Sequence, residues 1–159
     1  MKKLKYIQEL IKNQQKLCIF IDYKDIIEEF ESTFDPDILS ARHIRILQNF
    51  SKCEFINMFI LTNADMPKKK ITKLSKKLED ITFENYNAED ITNICDQYKE
   101  THTFMYLGKS PEIIQLIKEN SGMTISIKDF SGENKTQTDI SLSKQKFEEI
   151  LLETNNICL

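Results

Sequence analysis

Short apolar runs alternate with amphipathic stretches along this chain, and that alternation narrows its fold more than any other property. Leu4, Ile7, Leu10 and Ile11 recur at helical spacing, and the unbroken apolar run at 17–21 then reads as a strand buried on both faces. Leu39, Ile44, Leu47 and Phe50 predict a second helix, preceded by the turn sequence Phe34-Asp-Pro-Asp. The pattern then repeats. Strands are expected at 55–61, 81–84, 103–107, 123–128 and 140–142. Helices are expected at 67–78, 88–98, 110–120 and 144–153, with Gly122 placed to cap the helix before it. Strands joined by helices of this length imply right-handed crossovers. The expected fold is therefore a three-layer, Rossmann-like α/β domain with a mostly parallel sheet of five or six strands and helices on both faces. A chain of 159 residues supports one such domain, read here as residues 1–159.

Charge and cysteine usage exclude several function classes. A formal net charge of −3 provides no long-range field for nucleic acid. A local basic patch is still written in the lysine-rich helix, where Lys68, Lys69, Lys70, Lys73, Lys76 and Lys77 accompany an apolar stripe of Ile71, Leu74 and Leu78. Those lysines read either as a solvated helix face or as a docking surface for an anion, with nucleic acid or ribonucleoprotein contact the less favoured use. No apolar run is long enough to cross a bilayer, and the amphipathic start carries no signal-peptide core, so a cytoplasmic protein is expected. Cys18, Cys53, Cys95 and Cys158 are scattered, as are His43 and His102. This spacing writes neither a zinc site nor a disulfide framework, and buried reduced thiols are expected.

Ligands of parallel sheets bind outside the carboxyl ends of strands, and three chemically suggestive residues fall at such ends: Asp22, Thr62 and Gly108. With those positions fixed, the chain resembles the haloacid-dehalogenase-like phosphohydrolases, most closely the core of trehalose-6-phosphate phosphatases. The stretch Leu17-Cys-Ile-Phe-Ile-Asp22-Tyr-Lys24-Asp25 is similar to the first motif, and Phe59-Ile-Leu-Thr62-Asn63 to the second. Asn87-Ala88-Glu89 occupies the place of the third, and Met105-Tyr-Leu-Gly108-Lys109-Ser110-Pro-Glu112 resembles the fourth. The resemblance implies Asp22 as nucleophile and Thr62 as the hydroxyl that holds the phosphoryl group.

The departures fall on catalytic positions. Lys24 stands where the family has its acid–base carboxylate, Ala88 where a lysine neutralises phosphate, and Lys109 and Ser110 where carboxylates hold magnesium. Phosphoryl transfer rests on positioning and on neutralising charge over the phosphoryl oxygens, so these changes together remove most of the expected stabilisation. The expectation is a catalytically inactive, capless pseudophosphatase, with no metal and no cofactor, that serves as a protein-binding or regulatory subunit. On this reading Asp22, Lys24, Thr62, Ala88 and Lys109 are vestigial. Asp22 is then paired with Lys24 or Lys109, which would hold it ionised. Gly108 reads as a tight turn, or, with Thr62, Asn63, Lys109 and Ser110, as part of a metal-free anion site. The alternative is a divergent phosphatase that uses Asp22, with magnesium, on a phosphomonoester such as trehalose-6-phosphate and recruits acids from Glu112 or from residues 129–139. A phosphorylated receiver domain fits less well, because it needs an acidic pair at the end of the first strand and a phosphorylatable Asp at the third.

Overall fold

The computed structural model describes residues 2–31, 39–62, 66–78, 81–85, 87–128 and 137–158. Among them stand β1 (Leu17–Asp22), β2 (Ile56–Thr62), β3 (Thr82–Asn85), β4 (Thr103–Leu107), β5 (Met123–Ile127) and β6 (Ile140–Leu142). The helices are α1 (Lys2–Lys12), α2 (Ala41–Ser51), α3 (Lys68–Lys77), α4 (Ala88–Tyr98), α5 (Pro111–Glu119) and α6 (Lys144–Cys158), with a 3-10 turn at Ile27–Phe30. The strands form one six-stranded sheet in the order β3-β2-β1-β4-β5-β6, and every pairing is parallel. This is the α/β architecture read from the alternation, with all strands parallel.

Two apolar layers sandwich the sheet. Leu17, Ile19 and Ile21 of β1 pack with Ile7 and Ile11 of α1, Ile46, Leu47 and Phe50 of α2, Leu74 of α3 and Phe147 of α6. Cys18 and Phe20 of the same strand face the other way, onto Ile91 and Cys95 of α4 and Ile113, Ile114 and Ile117 of α5. All six β1 residues are buried, which is why the strand shows no apolar–polar alternation. Between β2 and β4 the described residues hold α3, β3 and α4, and no cap domain is evident there.

Local chemistry sets the helix ends. The Ser40 hydroxyl caps α2 by accepting the His43 N–H at 3.3 Å, and the Asn87 side chain caps α4 by accepting the Glu89 N–H at 2.8 Å. After α5 the left-handed position is Ser121, at φ 60°, rather than the expected Gly122. The glycine is needed for space: a Cβ there would lie 2.7 Å from the Phe104 carbonyl oxygen. The expected turn at Phe34-Asp-Pro-Asp lies outside the described residues.

The cysteines depart from expectation. Cys53, before β2, forms a disulfide with Cys158 at the end of α6, with Cα atoms 5.2 Å apart. The residues are separated by 105 positions, so only the tertiary fold brings them together. Cys18 and Cys95 are free and buried. No described helix is long and apolar enough to cross a membrane.

Candidate active site

The strand order reverses between β1 and β4, which makes the carboxyl ends of those strands the switch-point crevice. β1 delivers Asp22 there, only 6% exposed. Its Oδ1 accepts the backbone N–H groups of Lys24 at 3.1 Å and Asp25 at 3.4 Å, and its Oδ2 accepts the Tyr106 hydroxyl at 3.3 Å. The Tyr106 oxygen in turn accepts the Ser110 N–H at 3.1 Å. Asp25 reaches the same loop, where its Oδ2 accepts the Lys109 N–H at 3.0 Å. The turn after β1 is thus laced to the loop after β4. Gly108 makes this lacing possible, since any Cβ there would collide with the Tyr106 ring and hydroxyl. Its role is close approach to that tyrosine.

The electrostatics of Asp22 contradict the expected ion pair. Burial, and then the nearby Asp25 charge, push its carboxyl up to about 6, against weaker lowering by its hydrogen bonds. An adjacent ammonium would have pushed it down. Among the described residues no ion pair joins Asp22 to Lys24 or Lys109, and the Lys24 charge lowers Glu28 instead. The site therefore presents two acidic side chains, Asp22 and Asp25, with no described cation neutralising Asp22.

Other candidates are distributed unevenly. Thr62 is buried at the end of β2, one residue beyond the Asp22–Leu61 pair, while Asn63 lies outside the described residues. Ala88 is the first residue of α4, where it contributes no charge. The backbone N–H groups of Lys109 and Ser110, expected to greet an anion, already serve Asp25 and Tyr106. Of the acids considered as replacements, Asp139 is committed to Thr124, accepting its N–H at 2.9 Å and its hydroxyl at 3.0 Å. Glu112 is exposed in the first turn of α5.

The lysine helix also divides. Lys68, Lys69, Lys73, Lys76 and Lys77 are exposed, but Lys70 turns inward to Glu31 at 2.5 Å and Glu28 at 3.9 Å, with its ammonium 5.1 Å from the centroid of the Tyr23 ring. Tyr23 donates its hydroxyl to Glu31 at 2.6 Å. Lys70 therefore leaves the basic docking patch, because Glu31 neutralises it.

Sequence reasoning missed two residues of this site. Asp25 carries no role in the motif resemblance, although the Asp22-x-x-Asp25 spacing is written in the sequence. Tyr106 lies within the expected strand at 103–107, and the hydroxyl at its tip is the one signal of its role. A magnesium ion bound in enzymes commonly keeps several waters and uses one or two carboxylates together with substrate phosphate. The hard oxygens of Asp22 and Asp25 fit that mode. No group of three or more His, Cys, Asp or Glu side chains among the described residues is placed to hold a metal ion, so a closed cage of protein ligands does not fit.

No protein-family model matches the chain, and no curated protein does. Solved structures do. The cobalt-bound deoxy-D-mannose-octulosonate 8-phosphate phosphatase of Haemophilus influenzae is similar with 14% identity and a TM-score of 0.60 over 92% of each chain. A 3-deoxy-D-manno-octulosonate 8-phosphate phosphatase of Moraxella catarrhalis, with magnesium, phosphate and KDO, gives 16% identity and a TM-score of 0.58 over 94% of each. The D,D-heptose 1,7-bisphosphate phosphatase of Burkholderia thailandensis gives 9% and 0.53, over 81% of this chain and 92% of its own. At such identities the likeness establishes the fold, which is haloacid-dehalogenase-like. The narrower likeness to trehalose-6-phosphate phosphatases is not among these matches. The expectation of no metal is overturned by the same comparison, since two of these structures hold cobalt or magnesium on this fold.

Proposed function

We propose that the chain is a divergent, metal-assisted phosphomonoester hydrolase in which Asp22 is the nucleophile. The observation that carries this reading is the Asp22–Asp25 pair at the switch point, with Asp22 buried, raised to about 6 and unpaired with lysine. Such perturbation of a carboxylate in a crevice marks functional sites. At neutral pH Asp22 is ionised, and hydrogen bonds from Lys24, Asp25 and Tyr106 hold it in place. An oxygen of this carboxylate would attack phosphorus as the bond to the leaving oxygen breaks, the departing alkoxide would take a proton from water, and a further water would then release phosphate from the aspartyl intermediate. A divalent cation held by Asp22 and Asp25 would supply neutralising charge for the phosphoryl oxygens. The solved neighbours act on phosphorylated sugars or sugar acids, and the motif resemblance points to trehalose-6-phosphate. Phosphorylated sugars are therefore the substrate class to assay.

One observation favours a second reading. Lys109 and Ser110 offer no carboxylate at the end of β4, and their N–H groups are already engaged. A non-catalytic subunit, binding a protein through exposed faces such as that of α3, is consistent with that loop. A single assay separates the two readings. Turnover of p-nitrophenyl phosphate and sugar phosphates is measured with magnesium or cobalt in excess. The hydrolase reading expects turnover that EDTA abolishes and that Asp22→Asn lowers by at least about 1,000-fold. Wild-type rates equal to those of Asp22→Asn would sink it and leave the binding subunit.

A further inference from the structure

α2 and α6 run parallel and are joined by three rungs whose residue numbers rise together. At the first, Glu148 Oε1 lies 3.4 Å from an Arg42 guanidinium nitrogen and 3.3 Å from His43 Nε2. At the second, the Asn49 side-chain amide donates to the Asn155 side-chain carbonyl at 2.8 Å. The last is covalent, the Cys53–Cys158 disulfide. Between these helices and the 3-10 turn lies a narrow apolar cleft, lined by Phe30, Ile46, Leu47, Phe147 and Leu151 among others. Ile26 and Ile27, the two residues that follow Asp25, line the same cleft. The junction of α2 with α6 therefore touches the segment that carries the carboxylate pair.

The remaining thiols cannot share the chemistry of this pair. Cys18 and Cys95 are wholly buried, and burial pushes their thiols up to about 12 and about 11, which leaves almost no nucleophilic thiolate. Cys158 is half-buried, in the final turn of α6. Helix ends open at lower free energy than cores, so this sulfur is the one that a small thiol or disulfide can reach.

We propose that Cys53 and Cys158 form a thiol–disulfide switch that fastens and releases the last turn of α6, with a small disulfide of the glutathione class as oxidant. In the forward direction the Cys158 thiolate attacks a sulfur of the small disulfide. A mixed disulfide forms and one small thiolate leaves. The Cys53 thiolate then attacks the Cys158 sulfur and expels the second small thiol. Two protein thiols are oxidised, one disulfide is reduced to two thiols, and the protons of the protein thiols end on the small thiols. In the released state the Asn49–Asn155 hydrogen bond is, among the described residues, the polar tie between α2 and α6 nearest the end of α6.

The test uses the full chain, equilibrated in buffers of graded reduced-to-oxidised glutathione ratio, quenched with N-ethylmaleimide and weighed intact. Hydrogen exchange is followed in parallel on the peptide that spans the end of α6. The switch expects one reversible two-electron transition confined to Cys53 and Cys158 within the buffered range, and exchange at least tenfold faster in that peptide after reduction. Cys53→Ser and Cys158→Ser are each expected to exchange like the reduced protein in every buffer. A disulfide that persists in excess reduced glutathione would be a permanent staple and would overturn the proposal. So would a pair that never oxidises, or unchanged exchange at the end of α6.

Discussion

Asp22 can be probed by stability even where turnover is not measured. Its carboxyl is held at about 6 in the fold, whereas an unfolded aspartate titrates near 3.9. The folded state therefore binds the proton more tightly. The stabilisation from this linkage is complete below about pH 4 and is lost as pH rises through about 6, with a total of about 3 kcal/mol. Asp22→Asn removes the cost of burying the charge and keeps an oxygen acceptor for the Lys24 and Asp25 N–H groups. The variant is expected to be more stable than wild type by about 2–3 kcal/mol at pH 7.5, with the gap closing at pH 4. Urea titrations at the two pH values, in EDTA, check this, and a gap that does not depend on pH refutes it. Gly108 offers an independent handle on the same loop. Gly108→Ala forces a methyl group against the Tyr106 ring and hydroxyl, which is expected to cost about 1–3 kcal/mol. Tyr106→Leu in the same chain should recover part of the loss; a harmless Gly108→Ala would show that the loop does not need this approach.

Among the elements, α3 and the 3-10 turn are joined by the Lys70–Glu31 pair, whose side chains are only 11% and 9% exposed. Lys70→Ala leaves the Glu31 carboxylate, among the described residues, with the Tyr23 hydroxyl and no cation, at an expected cost of about 3 kcal/mol in urea unfolding. Lys73→Ala on the exposed face is expected to stay within about 0.5 kcal/mol. Equal effects at the two positions would remove the pair from the account. This distinction was partly legible beforehand: Lys70 is four residues before Leu74 and eight before Leu78, which places it on the buried face of the helix. The element order was legible because strand runs and helical spacing are local properties. The direction in which Asp22 points was not, since a strand buried on both faces gives no alternation to read. The pairing of Asp25 with the Lys109 N–H joins segments 84 positions apart, and no local pattern encodes it.

Over the whole molecule, two apolar layers explain why the sheet is stable while leaving open how its outer helices are fastened. α6 packs on α1 and α2, and besides apolar contact the described residues show polar ties at Gln8–Glu153, Glu148 and Asn155 together with the disulfide. Gln8 and Glu153 meet at 3.4 Å in an exposed setting, a contact of little energetic weight. The disulfide acts differently, because it closes a chain segment of 105 positions and so restricts the unfolded ensemble as much as it holds the folded one. A loop of that length is expected to be worth about 4–5 kcal/mol in the chain-entropy model, and measured values more often fall at about 2–4 kcal/mol. Cys53→Ser should therefore lower the unfolding free energy of the oxidised protein by about 2–4 kcal/mol and leave that of the reduced protein nearly unchanged. The comparison within one variant is decisive: a similar loss in both redox states would mean that Cys53 contributes packing beneath α6 and no cross-link.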